Sequence, residues 1–352
     1  MVEMCAQCHS SDVRKWRFFG IGEVQMSKVG VVGGSGFVGS FLLRSLDDAN
    51  VPFVCFDTEA PAEPHRYVKL DIETPGTDAF VGIDTIINLA AVHRDDVRPL
   101  SRYTDINVDG AKKICAVASD SGVSRIIFTS SVAIFGFAPP DTNESGAPNY
   151  FNEYGKTKFE AEQVYKEWQA EHPEQRTLVI VRPTVIFGPG NRGNVYNLLK
   201  QIASQRFMMF GDGRNIKSMA YVENVVQFLV QCTNLNPGVH VYNYIDKPDL
   251  SMNELVHVAR KTLFDKSGVG LRMPGFFGVI IGVGFDLLAW LIRRPLPVSS
   301  IRVKKFMATT QFSSAVSETG FEAPYTLAEG LEKTLRYEFL EDNRDKPTYE
   351  TE

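Results

Sequence analysis

The chain has no cationic surplus. Its 37 lysines and arginines face 42 aspartates and glutamates, leaving a formal net charge of −5 in 352 residues. No broad basic surface for nucleic acid is implied, and none is expected as a partner. Cysteine is also scarce. Of five, Cys55, Cys115 and Cys232 are scattered through apolar segments, so no disulfide framework is suggested and a reducing cytoplasm fits. Cys5-Ala-Gln-Cys8-His9 matches the haem-attachment spacing, but the residues before it are mixed and polar rather than an apolar export signal. Met26-Ser-Lys-Val-Gly-Val-Val reads as a protein start, so residues 1–25 are expected to be an extension to the core. No metal site is expected. Long apolar runs are lacking too. Residues 274–292 are strongly apolar and end at Arg293-Arg294, yet fall short of the ~20 residues of a membrane span and contain Asp286. A buried lobe or lid helix, or a weak membrane-surface contact, is the expectation there. The remaining composition, 44% hydrophobic and 22% charged, is that of an ordinary globular enzyme.

What is present begins with Val31-Val-Gly-Gly-Ser-Gly-Phe-Val-Gly39, after a short apolar run and before a helical pattern with Phe37, Phe41, Leu42 and Leu46 on one side. In a strand–turn–helix context this is a dinucleotide-binding signal. Gly33 allows the tight turn, Gly36 lets a pyrophosphate approach the backbone, and Gly39 lets helix and strand pack. The helix N-terminus presents N–H groups to the phosphates. The next strand, Val51 to Asp57, ends in an acid at the distance expected of a ribose-binding carboxylate. Its charge would repel a 2′-phosphate, so NAD is favoured over NADP.

From residue 28 to about 182 strands and helices alternate. Strand-like runs are Lys28–Val32, Val51–Asp57, Arg66–Ile72, Asp84–Ala90, Ser124–Thr129 and Thr177–Val181. The pattern predicts an α/β fold, a Rossmann-type doubly wound parallel sheet over residues 26–182, with ligands at the carboxyl ends of the strands. After Arg182-Pro183 it becomes irregular, and residues 183–340 are expected to form mainly a smaller substrate-binding lobe, some segments of which return to the first domain. Capping-box patterns start helices at Ser251 and Thr326. Residues 341–352 are charged and expected to fray.

Ser131 closes a strand end, and Tyr154-Gly-Lys-Thr-Lys158 lies on a predicted helix with tyrosine and lysine one turn apart. A free phenol titrates near ~10 and is a poor base at neutral pH. A nearby ammonium and a cationic nicotinamide would favour phenolate, so Tyr154 is expected to be acidified. Ser131 can hydrogen-bond a substrate oxygen while Tyr154 exchanges its proton.

With these motifs the chain resembles an extended short-chain dehydrogenase/reductase of the NAD-dependent epimerase/dehydratase family, most of all the nucleotide-sugar 4-epimerases, from about Lys28 to Phe339. The resemblance implies catalytic Ser131, Tyr154 and Lys158. It implies NAD contacts from Gly33, Ser35, Gly36, Phe37, Val38 and Gly39, and from Asp57. Asp71 and Ile72 would flank the adenine. Leu89, Ala90, Ala91, His93, Asn107, Ser130, Tyr154 and Lys158 would line or support the cofactor, with Pro183 and Val185 at the nicotinamide. Asn194 and Lys217 join Ser131 and Tyr154 on the substrate side, although many relatives carry arginine at the Lys217 position. The family commonly dimerises through two helices, matching about 105–121 and 153–171 here, so a cytoplasmic homodimer is implied.

The leading reading is 4-epimerisation of a nucleotide-diphosphate sugar, most simply UDP-linked. The alternative is a one-way dehydrogenase or reductase of a keto-sugar or hydroxysteroid-like substrate. A non-catalytic NAD-binding regulator is the third class, against which the intact Ser/Tyr/Lys set argues. A 4,6-dehydratase would need further acid/base groups beside the serine, where this chain has Val132 and Ala133.

Overall fold

The computed structural model describes residues 28–94, 96–278, 280, 283 and 306–351. The readings of residues 1–25, including Cys5 and Cys8, and of 284–292 lie outside the described residues.

Six of the strands fall where the sequence puts them: β1 (Val29–Val32), β2 (Phe53–Asp57), β3 (Tyr67–Lys69), β4 (Thr85–Asn88), β5 (Arg125–Thr129) and β6 (Thr177–Pro183). All pair in parallel, and a seventh strand, Gly238–Tyr244, joins β6 at one edge. The spatial order is Gly238–Tyr244, β6, β5, β4, β1, β2, β3. Both β1 and β4 are buried along their whole length, as continuous apolar runs in a doubly covered sheet should be. Edge strand β3 is largely exposed and carries Lys69 outward, which blunts that edge.

Alternation along the strands divides the core into two layers. Val31, Cys55, Ile87, Ile127 and Val179 face one, where the helices Phe37–Asp48 and Val222–Cys232 pack. Val54, Phe56, Ile86, Ile126, Phe128 and Ile180 face the other, against Ile114, Val117, Tyr165 and Trp168 of the helices Gly110–Asp120 and Glu153–Ala170. Strand order reverses between β1 and β4, so a crevice opens at their carboxyl ends.

Beyond β6 the chain builds short two-stranded pairs: Val185–Phe187 with Met219–Tyr221, Ile216–Lys217 with Leu250–Ser251, and Met209–Phe210 with Arg272–Met273. Both capping boxes form, Ser251 with Glu254 and Thr326 with Glu329. Near the end of the chain, where the sequence reading expects fraying, Tyr349 pairs through its backbone with Gly190 and Arg192 on the loop after Val185–Phe187. Among the described residues no helix is long and apolar enough to cross a membrane.

Candidate active site

A cleft of about 1280 Å³ runs from the β2 end, across the β1/β4 switch point, to the smaller lobe. This exceeds the ~300–1,000 Å³ of ordinary small-ligand pockets, and suits a dinucleotide with a second ligand beside it.

On the dinucleotide side, Gly33 has φ +81°, and a Cβ there would come within 2.7 Å of the Ala90 nitrogen. The turn therefore requires glycine both for its conformation and for its contact with the β4 end. Gly36 is the N-cap of the Phe37–Asp48 helix and brings no side-chain cap, leaving the first-turn N–H groups directed at the cleft for an anion. The Asp57 carboxylate accepts the Ser35 N–H at 2.9 Å and the Thr58 N–H at 2.7 Å, so one acid fixes the glycine turn and faces the place of a ribose. These features fit a bound NAD.

The catalytic side is built by two short-range devices. Ser131 caps the turn Val132–Phe135 by accepting the Ala133 N–H at 3.1 Å. Asn152 caps the Glu153–Ala170 helix by accepting the Gly155 N–H at 2.9 Å, which sets Tyr154 in its first turn. Gly155 has no side chain to keep that turn away: a Cβ would lie 2.5 Å from the Ala133 carbonyl oxygen. Ser131 and Tyr154 are thereby brought together. Lys158, one turn on, is buried and donates to the Thr129 carbonyl oxygen at 2.7 Å, its Nζ 6.0 Å from the centre of the Tyr154 ring.

Electrostatics at this trio show what the protein's own groups contribute before a cofactor binds. Burial pushes the Tyr154 phenol up to about 12, against a smaller downward pull from its hydrogen bond to Ser131. Burial also pulls the Lys158 ammonium down to about 7, opposed by the charge of Glu162. The protein's own groups thus hold Tyr154 as a neutral phenol rather than an acidified one, because desolvation penalises both charged forms. A cationic nicotinamide bound beside it would favour the phenolate.

Sequence reasoning missed what lies behind the trio. Glu162 is fully buried and accepts from Ser130 Oγ at 2.6 Å and from Arg182 Nε at 2.8 Å, while Arg182 Nη2 reaches its other oxygen at 2.6 Å. The only signal in the sequence is spacing: Glu162 is four residues after Lys158 on one helical face.

Most predicted residues meet in this cleft. Gly33, Gly36, Phe37, Val38, Gly39, Asp57, Asp71, Ile72, Leu89, Ala90, Ala91, His93, Ser130, Ser131, Tyr154, Lys158, Pro183, Val185 and Asn194 all line it. Three do not. Ser35, within the turn, donates its N–H to Asp57 and its hydroxyl to the Glu59 carbonyl at 2.6 Å. Asn107, in the π-helical stretch Thr104–Asp109, is buried and holds Val92 by both its N–H (2.8 Å) and its carbonyl (3.0 Å), supporting the backbone beside His93. Lys217 is bridged to the lining residue Thr310 without lining the cleft itself, and burial lowers its ammonium to about 8. Ser130 spends its hydroxyl on Glu162. His93 is reached from the cleft, yet the walls around it desolvate the ring enough to lower its pKa, with Lys158 and Arg94 adding to the effect against an opposing bond to Ala91. Val132 and Ala133 line the cleft beside Ser131 without a proton-transferring group. Among the described residues no cluster suited to a metal is found.

A parallel sheet with a glycine turn at its switch point, and Ser, Tyr and Lys converging across from it, defines an NAD-dependent enzyme of the short-chain dehydrogenase type. Residues 29–243 match the NAD dependent epimerase/dehydratase family, to which the chain belongs. It is an NAD-dependent sugar epimerase. It is 45% identical over 331 residues (92% of this chain and 98% of the relative) to the N-acetyl-alpha-D-glucosaminyl-diphospho-ditrans,octacis-undecaprenol 4-epimerase of Escherichia coli O157:H7. It is 26% identical to the UDP-glucose 4-epimerase of Vibrio cholerae, over 89% of this chain and 96% of that one. In fold it is similar to the UDP-N-acetylglucosamine 4-epimerase of Bacillus cereus, with TM-score 0.69 at 13% identity, covering 90% of this chain and 98% of that one.

Proposed function

We propose that the protein inverts C4 of a sugar carried on a diphosphate, and that the carrier is a polyprenol. The observation that carries the reaction is the convergence of Ser131, Tyr154 and Lys158 on the cleft that also holds the glycine turn. The carrier rests on the 45% identical relative together with the apolar surface described below. A nucleoside diphosphate sugar, the class named for the Vibrio relative, is the second reading. The catalytic steps are common to both.

Bound NAD supplies the hydride acceptor that later acts as donor, and its cationic ring supplies the charge that Tyr154 needs. Tyr154 takes the proton of the C4 hydroxyl. Ser131 donates a hydrogen bond to that oxygen as it becomes a carbonyl. Lys158 stabilises the phenolate from one turn below and keeps the loop end Thr129–Ser131 in place through the Thr129 carbonyl. The 4-keto sugar turns, and Tyr154 returns the proton as the other face is reduced. Asn194, exposed on the cleft wall, is positioned for the sugar diphosphate.

The helix opening at Gly275 exposes Phe276, Phe277, Ile280 and Val283, and Leu271 just before it. Positions 276, 280 and 283 fall on one helical face. Gly275 lies against Met307, and the chain continues from there to Thr310 and Phe312 in the cleft wall. We assign this face to the surface of a lipid bilayer on its cytoplasmic side, where a polyprenol diphosphate is presented. We further propose a homodimer through the neighbouring helices Gly110–Asp120 and Glu153–Ala170, to be checked by sedimentation.

The test is incubation with undecaprenyl diphosphate N-acetylglucosamine in detergent, and in parallel with UDP-N-acetylglucosamine and UDP-glucose. Product NMR and absorbance of reduced nicotinamide are read together. C4 epimer from the polyprenyl substrate, without net reduced cofactor, is expected. Epimer from the UDP-sugars alone would move the carrier to a nucleoside. Stoichiometric cofactor reduction would replace epimerisation with one-way oxidation.

A further inference from the structure

The segment 346–351 does more than pack. The Tyr349 N–H donates to the Gly190 carbonyl at 2.9 Å, and the Arg192 N–H to the Tyr349 carbonyl at 2.9 Å, a parallel bridge onto the Gly188–Asn194 loop. Glu338, from the helix Leu327–Phe339, ties the same loop from below. It accepts the Gly190 N–H at 2.7 Å and pairs with Arg192 at 2.7 Å. The Tyr349 ring meets Phe37 with centroids 5.9 Å apart. Phe37 is the first residue of the helix whose N-terminus faces the dinucleotide phosphates. Thr351 Oγ donates to Asn191 Oδ1 at 2.6 Å, and that oxygen also accepts the Gly193 N–H at 2.8 Å. Thr351, Asn191 and Gly193 line the cleft.

We propose that residues 346–351 are a strap of the cofactor site, with Tyr349 and Thr351 as positioning residues that hold Phe37 and the Gly188–Asn194 loop over the diphosphate of NAD and slow its release. The chemistry gives the strap a purpose. An epimerase must give back the hydride it has taken, so losing cofactor in mid-turnover strands an oxidised sugar. The strap joins the glycine-turn helix of the first layer to the substrate-side loop, the two walls between which a dinucleotide would leave. The inference rests on the family's cofactor and not on the identity of the sugar.

The test uses no sugar. The protein is loaded with NAD and passed into NAD-free buffer, and released dinucleotide is followed by an enzymatic cycling assay. The parent chain is compared with Tyr349→Ala, Thr351→Ala and a chain ended at Asp345, with circular dichroism as a check of fold. Release about tenfold faster from Tyr349→Ala and from the shortened chain is expected, with Thr351→Ala intermediate, since changes at a binding interface act mostly on the off-rate. Release within about twofold of the parent in the folded variants would overturn the strap. So would a parent that already loses NAD within the dead time of the buffer exchange. If the shortened chain does not fold, the two point variants decide the matter.

Discussion

Arg182 closes on Glu162 at 2.6 Å with side chains only 6% and 0% exposed, directly behind the serine pair Ser130-Ser131. Removing one member of such a pair leaves a charge in the core without its partner. Arg182→Met is therefore expected to cost about 3–5 kcal/mol of stability. The double variant Arg182→Met/Glu162→Gln should regain part of that loss, since the carboxylate left behind is then neutral, the remainder reflecting Lys158, which loses the charge that supports its ammonium. Urea denaturation of both measures it; equal losses in single and double variants would count against the pairing as the cause.

Tyr154→Phe keeps the ring and the first helical turn but removes the transferable proton. Fold and NAD binding should survive, and turnover should fall about 10²–10⁴-fold or more. Lys158→Met should be at least as damaging, Ser131→Ala milder. Because burial holds the phenol near 12 before any cationic ligand binds, the base form is scarce at neutral pH. The sugar-oxidation step should therefore speed up with rising pH until the phenol's value in the ternary complex is reached. Rapid-mixing absorbance of reduced nicotinamide between pH 6 and 9, in roughly that window, reads this directly. Normal turnover by Tyr154→Phe would transfer the role elsewhere, His93 being the next titratable group on the cleft wall.

Asp57 carries two duties, bracing Ser35 and facing the ribose. Asp57→Ala should thus weaken NAD binding by roughly tenfold or more, the scale of one hydrogen bond to a charged group. It should at the same time lessen discrimination against NADP, because the repelling charge is gone. Calorimetry with both cofactors tests each half. Tighter NADP than NAD binding by the parent would sink the assignment.

Asp246 gives a stability prediction with a definite sign. It is buried beneath the smaller lobe, accepting the Tyr221 N–H at 2.6 Å and the Tyr244 hydroxyl at 3.1 Å. Burial raises it from 3.8 to about 6 despite the opposing bonds from Tyr221, Asn224 and Tyr244. A carboxyl raised in the folded state stabilises it fully below the unfolded value and loses that contribution as pH climbs through the folded one. The parent should therefore lose on the order of 2 kcal/mol from this group between about pH 4 and pH 7. Asp246→Asn should lack that slope. Urea denaturation at the two ends of the window compares them, and parallel profiles would remove Asp246 as the source.

Much of the fold was legible because the central strands of the sheet, β1 and β4 above all, are continuous apolar runs ended by a turn signal. The strand Gly238–Tyr244 was not, since it is only partly buried at the sheet edge and pairs with β6 across more than fifty residues of intervening chain. The cleft residues were legible where chemistry ties a residue type to a place, as at Gly33, Asp57 and Tyr154. Glu162 and Tyr349 were not. A buried carboxylate on a helix looks like any solvated glutamate in one dimension, and the docking of 346–351 depends on a loop and a ring that only folding brings near. The upward push of burial on Tyr154 was not legible either: spacing places Lys158 beside it but says nothing of how much water both lose.

The apolar face at Phe276, Phe277 and Ile280 makes the last prediction. A side chain of this kind moved from water into an apolar phase contributes about 1.5–3 kcal/mol. Three such side chains together would account for membrane binding that survives physiological salt. Replacing all three by serine should therefore move the protein from the pellet to the supernatant in sedimentation with vesicles of mixed anionic and neutral lipid. None of these residues lines the catalytic cleft, so NAD binding and circular dichroism should not change. Activity should separate by substrate: loss on undecaprenyl diphosphate sugar in vesicles, recovery when the same substrate is dispersed in detergent. A parent protein that stays in the supernatant, or a triple-serine variant that pellets as well as the parent, would remove the bilayer as the occupant of this face.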